Sequence, residues 1–227
     1  DGNDWIPVWS PDGTRVAYTS DQKGASDLYV QSVVGGGDAE VLLDDEKLNF
    51  PISWSQDGRY LLYEGWVASG PDIYALDLED GGDPIPIVIS DFFDRFPFIS
   101  PDGRWLAFAS DESGQMEVYV TAFPKPARKW QVSIDGGLRP RWSASGNQIY
   151  YQNDKDLMAA PIDASGEVVR VGEVTKVLEF SPANDGYSYA VSADGQRFLT
   201  IKSGEKGERK ALDPMTIVLN WQSDLRQ

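Results

Sequence analysis

Arg95 and Arg139 stand out in a chain with 36 acidic and 20 basic residues and a net charge of −16. A guanidinium is a planar fork of donors that fits a carboxylate two bonds at a time. Two of them at one opening could hold an acidic side chain or a peptide C-terminus. Alternatively, each pairs with a nearby acid such as Asp94 or Asp135, or lies solvated at a rim. The sequence leaves both readings open. Trp5, Phe50 and Tyr187 belong with the two arginines as candidate ligand contacts, because all five stand just upstream of successive copies of one repeated motif.

Most other chemistry is excluded. The chain has neither histidine nor cysteine, so it can build no Ser-His-Asp or Cys-His nucleophile, no disulfide and no His/Cys zinc site. No catalytic constellation, metal or cofactor is therefore expected, and the chain reads as a non-enzyme. The acids of Asp44-Asp45-Glu46 and Asp111-Glu112 lack the spaced Asp-x-Asp-x-Asp-Gly loop of a calcium site and read as solvated loop residues. An acidic surface repels phosphate backbones and anionic lipid, which argues against nucleic acid or direct membrane contact. No stretch approaches the length of apolar sequence that a membrane helix needs. Pro124 to Lys129 (PKPARK) forms a small basic island, read as a surface loop.

The elements that must position these residues follow from internal repetition. WSPDGTRVAYTSD at Trp9 to Asp21 returns as WSQDGRYLLYEGW and as ISPDGRWLAFASD, with weaker copies later. The turn residue falls at Asp12, Asp57, Asp102, Ser145 and Asp194, followed each time by Gly13, Gly58, Gly103, Gly146 or Gly195. Proline presets the second position of a type I turn, Asp suits the third, and glycine supplies the left-handed residue that returns the chain to a strand. One Asp per copy marks a turn, not a catalytic set. Alternating apolar residues flank each turn, such as Val16 and Tyr18 or Leu61 and Tyr63. A third strand follows in the first three copies at Asp27-Leu28-Tyr29-Val30, Asp72-Ile73-Tyr74-Ala75 and Glu117-Val118-Tyr119-Val120. Less regular fourth strands are expected at Glu40 to Leu43, Ile85 to Ile89, Trp130 to Ser133 and Lys176 to Leu178. Four strands in about 45 residues, with almost no helical periodicity, predict an all-β propeller of four-stranded antiparallel blades. Tyr29, Tyr74 and Tyr119 share one strand position and read as packing between blades.

The motif WSPDG-x-x-[VL]-A-[YF]-x-S followed by D-[LI]-Y resembles the WD40-like PD40 repeat of TolB-type propellers, over essentially the whole chain. Thr216 to Trp221 and Arg95 to Gly103 are similar to segments of the C-terminal propellers of bacterial transmembrane Ser/Thr protein kinases, although no kinase motif is present. The resemblance implies a non-catalytic binding or sensor propeller, extracytoplasmic or periplasmic, that takes a protein, peptide or small ligand at its channel mouth. The alternatives are a TolB-like periplasmic interaction protein, or the gating propeller of a prolyl-oligopeptidase-like hydrolase whose catalytic domain is absent from this sequence.

One domain is expected over residues 1–227, with blades near 1–46, 47–92, 93–135, 136–180 and 181–227. The fifth copy offers strands near Tyr189 to Ser192, Phe198 to Ile201 and Ile217 to Trp221, but no clear fourth. The start at Asp1, with neither Met nor leader, suggests an excised or mature piece. The resemblance points to six blades, with the missing strand or blade supplied upstream. A closed five-bladed ring is the rival.

Overall fold

A computed structural model describes residues 2–24, 26–81, 83–179, 189–192, 195 and 197–200. All regular structure among them is β. The first sheet contains β1 (Asp4–Trp9), β2 (Arg15–Ser20), β3 (Asp27–Ser32) and β4 (Glu40–Leu43) in that order. The second contains β5 (Leu48–Trp54), β6 (Tyr60–Val67), β7 (Gly70–Asp77) and β8 (Ile85–Val88). The third repeats the order with β9 (Arg95–Ile99), β10 (Trp105–Ser110), β11 (Glu117–Ala122) and β12 (Lys129–Gln131). The fourth has β13 (Leu138–Trp142), β14 (Gln148–Asn153) and β15 (Asp156–Asp163), with its outermost strand split in two. There β16 (Arg170–Val171) pairs with Ile162 and Asp163, and β17 (Thr175–Glu179) pairs with the other end of β15. A hairpin of β18 (Tyr189–Val191) and β19 (Phe198–Thr200) begins the fifth copy. Each sheet is a blade. Ile217 to Trp221, Tyr187 and Asp194 lie outside the described residues.

The repeated hairpin has the expected construction. Gly13, Gly58, Gly103, Gly146 and Gly195 all have positive φ, between 67° and 75°. In the first copy the Gly13 amide donates to the Ser10 carbonyl at 2.9 Å, closing the turn. Asp12 Oδ1 accepts from Ser10 Oγ at 2.6 Å and from the Thr14 amide at 3.0 Å. Asp57 and Asp102 take the same bonds from Ser55 and Arg59, and from Ser100 and Arg104. Where Ser145 replaces Asp, Asn147 supplies the side-chain oxygen that Ser145 Oγ bonds at 2.6 Å.

Blades stack by a fixed rule. A leading face of each blade packs on the trailing face of the blade before it in the chain. Ala17, Leu28 and Val30 of the first blade meet Trp54, Leu61, Tyr63 and Leu76 of the second. Leu62, Ile73 and Ala75 meet Leu106, Phe108 and Tyr119 of the third. Ala107, Val118 and Val120 meet Ile149, Tyr151, Ala160 and Ile162 of the fourth. Tyr150, Leu157 and Ala159 then meet Tyr189, Val191 and Phe198 of the last hairpin. Burying apolar area is the main favourable term here, and hydrogen bonds across the boundaries, two of them from a repeated tryptophan, help fix the register between blades. Trp54 Nε1 donates to the Val8 carbonyl at 3.2 Å, and Trp142 Nε1 donates to the Phe98 carbonyl at 3.1 Å.

Candidate functional site

The innermost strands β1, β5, β9 and β13 all start at one end of the propeller, its mouth, and run toward the SPDG-type turns at the other. The turn half of the channel holds a cavity of about 440 Å³, where Pro7, Ile52, Phe98, Trp142 and Ala190 from successive blades converge. Near the mouth, each innermost strand slips its register against the second strand of its own blade. The residue in the slip takes left-handed φ in three blades: Ile6 at 50°, Phe96 at 56° and Arg139 at 52°. In the second blade the position is Pro51, whose ring holds φ negative. Such bulges bend the strand and redirect the side chains beside them. Left-handed φ is costly for a residue with a Cβ, so surrounding contacts must hold it there.

The contacts around Phe96 and Arg139 are explicit. Glu64, on β6 of the neighbouring blade and almost fully buried, accepts the Phe96 amide at 2.9 Å through Oε1. Its Oε2 accepts Trp66 Nε1 at 3.1 Å and Arg95 Nε at 3.3 Å. The Arg95 guanidinium lies 5.0 Å from the Trp66 ring centroid and 4.4 Å from that of Phe96. Arg139 approaches the same Phe96 ring, at 4.9 Å, while its Nη1 donates to Gln152 Oε1 at 3.1 Å. Its carbonyl accepts the Tyr189 hydroxyl at 2.6 Å. An aromatic row extends outward from this cluster. Phe50 meets Trp66 edge-on at 6.3 Å, and Trp66 meets Phe93 edge-on at 6.4 Å. Phe92 and Phe93 are each 42% exposed.

The structure thus brings Phe50, Arg95 and Arg139 into one cluster and leaves Trp5 apart, on the outer face of the first blade. Tyr187 cannot be placed. The expected positions need correction, because these residues lie inside the innermost strands and not just ahead of them. Arg139 also stands six residues before its turn residue where the others stand seven, so Leu138 is the true counterpart of Arg95. That one-place offset puts Arg139 in the bulge and buries it. Arg95 is paired with an acid, but with Glu64 across the blade boundary and not with its neighbour Asp94. Asp94 is itself buried, which raises its carboxyl pKa, and its Oδ2 accepts Ser90 Oγ at 2.5 Å. Arg95 keeps a side chain about one-third exposed, and its terminal nitrogens have no acceptor among the described residues.

Glu64, Trp66, Phe93 and Phe96 are the residues that sequence reasoning missed. A signal was available for two of them. Glu64 stands where the other copies carry Thr19, Ala109 and Gln152, and Trp66 stands where they carry Asp21, Asp111 and Asp154. Trp66 breaks a repeated Asp, and Glu64 puts a carboxylate at a position that changes from copy to copy, as grafted function on a fixed frame is expected to do. What the cluster can do is bind: it offers a held cation with spare donors beside exposed rings, a combination enriched at protein contact surfaces.

Comparison with known proteins agrees with the blade architecture. The family model for the TolB beta propeller domain (PD40) matches residues 5–215. TolB from Acinetobacter baumannii superposes with a TM-score of 0.64 at 24% identity, over 87% of this chain and 48% of that one. A TolB-like protein from Agrobacterium tumefaciens gives 0.60 at 23% identity, over 75% of this chain and 65% of that one. A prolyl endopeptidase gives 0.54 at 16% identity, over 86% of this chain and 34% of that one. The chain therefore spans about half to two-thirds of the TolB chains it matches. With a repeat that runs through nearly its whole length and a family model that matches residues 5–215, the chain belongs to the TolB beta-propeller family.

Proposed function

We propose that this propeller acts by binding, without catalysis, and that it engages a protein or peptide at the channel mouth. The observation that carries this reading is the setting of Arg95. Glu64 fixes its Nε, Trp66 and Phe96 flank its guanidinium, and its terminal nitrogens remain available beside the exposed Phe92 and Phe93. A preorganised guanidinium loses less freedom on binding than a mobile one. The partner that fits supplies a carboxylate or carbonyl for Arg95 and an apolar side chain for the phenylalanines. The absence of histidine and cysteine supports a binding role over a hydrolytic one. An extracytoplasmic location, with the propeller as a sensor or docking module, accords with the family.

Arg139 has a different part in this reading. It is buried against Phe96 and Gln152, so it shapes the site from beneath. The test is to select binders from a random peptide library on the wild-type chain, then measure them against Arg95→Ala and Phe93→Ala. Binding that falls at least tenfold in both variants, with unchanged far-UV circular dichroism, supports the mouth as the site. Binders that keep their affinity for both variants overturn it.

A further inference from the structure

Where the first two blades meet, one buried acid faces other acceptors. Asp27, at the start of β3, is fully buried, and among the described residues neither of its oxygens has a donor. Its counterparts are served. Asp72 accepts the Ser90 amide at 3.2 Å, Glu117 accepts Gln115 Nε2 at 2.6 Å and the Gly136 amide at 2.9 Å, and Asp156 pairs with Lys176 at 2.7 Å. In the second blade the Ser90 hydroxyl also donates to a carboxylate, that of Asp94. The same repeat position in the first blade is Asp45, and an ionised carboxylate only accepts. A donor has been exchanged for an acceptor.

The groups around Asp27 are oxygens too. Asn49 is fully buried and abuts it, since the Asn49 amide donates to the Ser26 carbonyl at 3.1 Å. Asn49 Nδ2 donates to Asp45 Oδ1 at 2.6 Å, and Asn49 Oδ1 is left buried without a donor among the described residues. Asp45 Oδ1 also accepts the Lys47 amide at 2.9 Å, while its Oδ2 bonds no described residue. Asp45 is half-buried, whereas Asp44 and Glu46 on either side of it are exposed. It is therefore not one of the solvated loop acids expected of that run. Lys23 is the cation whose charge opposes burial at Asp27, but it is exposed and forms no ion pair with the carboxylate among the described residues. Buried oxygens left in this state are costly.

We propose that this cluster is a calcium site, with Asp27 and Asn49 Oδ1 as its buried ligands and Asp45 Oδ2 as its outer one, and that the ion clamps the first blade to the second. Hard oxygen donors of mixed charge suit calcium, which accepts irregular geometry. Magnesium fits less well, because it demands a near-octahedral shell and gives up water reluctantly. Among the described residues no three acidic side chains converge as a metal cage. Two carboxylates and one amide oxygen therefore place the site in the weak class, with a dissociation constant of about 10⁻⁴–10⁻³ M. This inference does not depend on ligand binding at the mouth.

Thermal unfolding of the 227-residue chain, stripped with EDTA and then given calcium chloride or potassium chloride of equal ionic strength, tests the site. Calcium at about ten times its dissociation constant should raise the folding constant of the wild type about tenfold. Asp27→Asn and Asp45→Asn keep side-chain size and should lose most of that response. Asp83→Asn, which removes an exposed acid between β7 and β8, should retain it. In chelator Asp27→Asn should be more stable than the wild type, and calcium should narrow that lead. A wild-type chain that calcium stabilises no more than potassium does would overturn the proposal. So would a response undiminished in Asp27→Asn, or one lost equally in Asp83→Asn, which would mark general neutralisation of an acidic surface.

Discussion

Arg95 of the third blade reaches Glu64 of the second, Nε to Oε2 at 3.3 Å, and the carboxylate at the centre of that contact is sealed from solvent. Glu64 also accepts the amide of Phe96, a residue held at left-handed φ. One carboxylate therefore ties the candidate binding cation to the bulge that shapes the mouth.

Glu64→Ala should be destabilising beyond the loss of an ion pair. It leaves the Phe96 amide and the Trp66 indole without their acceptor, and removes the charge facing Arg95. Deleting one partner of a buried polar network costs about 2–4 kcal/mol. Glu64→Gln, which keeps one carbonyl acceptor, should lose roughly half as much. Urea unfolding of both variants checks the order. Because the contact is shielded, the difference should change little with added salt.

The turn aspartates make a prediction about pH. Hydrogen bonds from Ser10 and Thr14 hold the Asp12 carboxyl down to about 2, from an ordinary value of 3.8. A group depressed in the fold contributes stability above its unfolded value and loses it as pH falls through the folded one. The Ser10 hydroxyl is the largest cause, so Ser10→Ala should return the Asp12 titration toward 3.8. Carbon-detected NMR titration of the side-chain carboxyl reads this directly. An unmoved Asp12 midpoint in that variant would show that the serine does not set it.

Asp27 titrates with the opposite sign. It opens the third strand of its blade, as Glu117 and Asp156 open theirs, and Asp72 holds the same repeat position near the start of β7. Those three are served: Asp72 by the Ser90 amide at 3.2 Å, Glu117 by the Gly136 amide at 2.9 Å, and Asp156 by Lys176 Nζ at 2.7 Å. Asp27 is fully buried, and among the described residues neither of its oxygens has a donor. Burial first, then Asp44 and Asp45, raise its pKa, with Lys23 opposing. Its stabilising protonated form is fully present below the unfolded value and is lost as pH rises through the folded one. Asp27→Asn should therefore raise stability near neutral pH by about 1–3 kcal/mol and bring no gain in acid. Thermal unfolding across pH tests this, and a variant less stable at neutral pH would contradict it.

How much of this was legible in the sequence depends on how local each feature is. The Ser10-Pro11-Asp12-Gly13 turn depends on four adjacent residues, so its type and its left-handed glycine could be read directly. The blade period followed from it. The bulge could not be read, because its left-handed positions fall on Ile6, Phe96 and Arg139, and on Pro51 in the blade that differs. Nothing in those side chains signals positive φ, since the surrounding fold imposes it. The pairing of Arg95 with Glu64 spans 31 residues and a blade boundary, so its partner was sought among sequence neighbours instead. The offset of Arg139 was visible by counting back from Ser145, and it separates a buried support from an exposed donor.

The repeated tryptophan separates a covered face from an open one. In Trp54→Phe the Val8 carbonyl loses its donor within a packed boundary, at a cost of about 1 kcal/mol for the bond plus the lost packing volume. Trp9→Phe alters the same repeat position on a face that no described residue covers, and surface substitutions are usually within about 0.5 kcal/mol of neutral. The two variants should therefore differ clearly in urea unfolding of the 227-residue chain. In a protein with a further blade on the first, Trp9→Phe should become as costly as Trp54→Phe, because the indole then lies at the same kind of boundary. Equal costs already present in the 227-residue chain would mean that Trp9 is covered there, and that the first blade needs no partner.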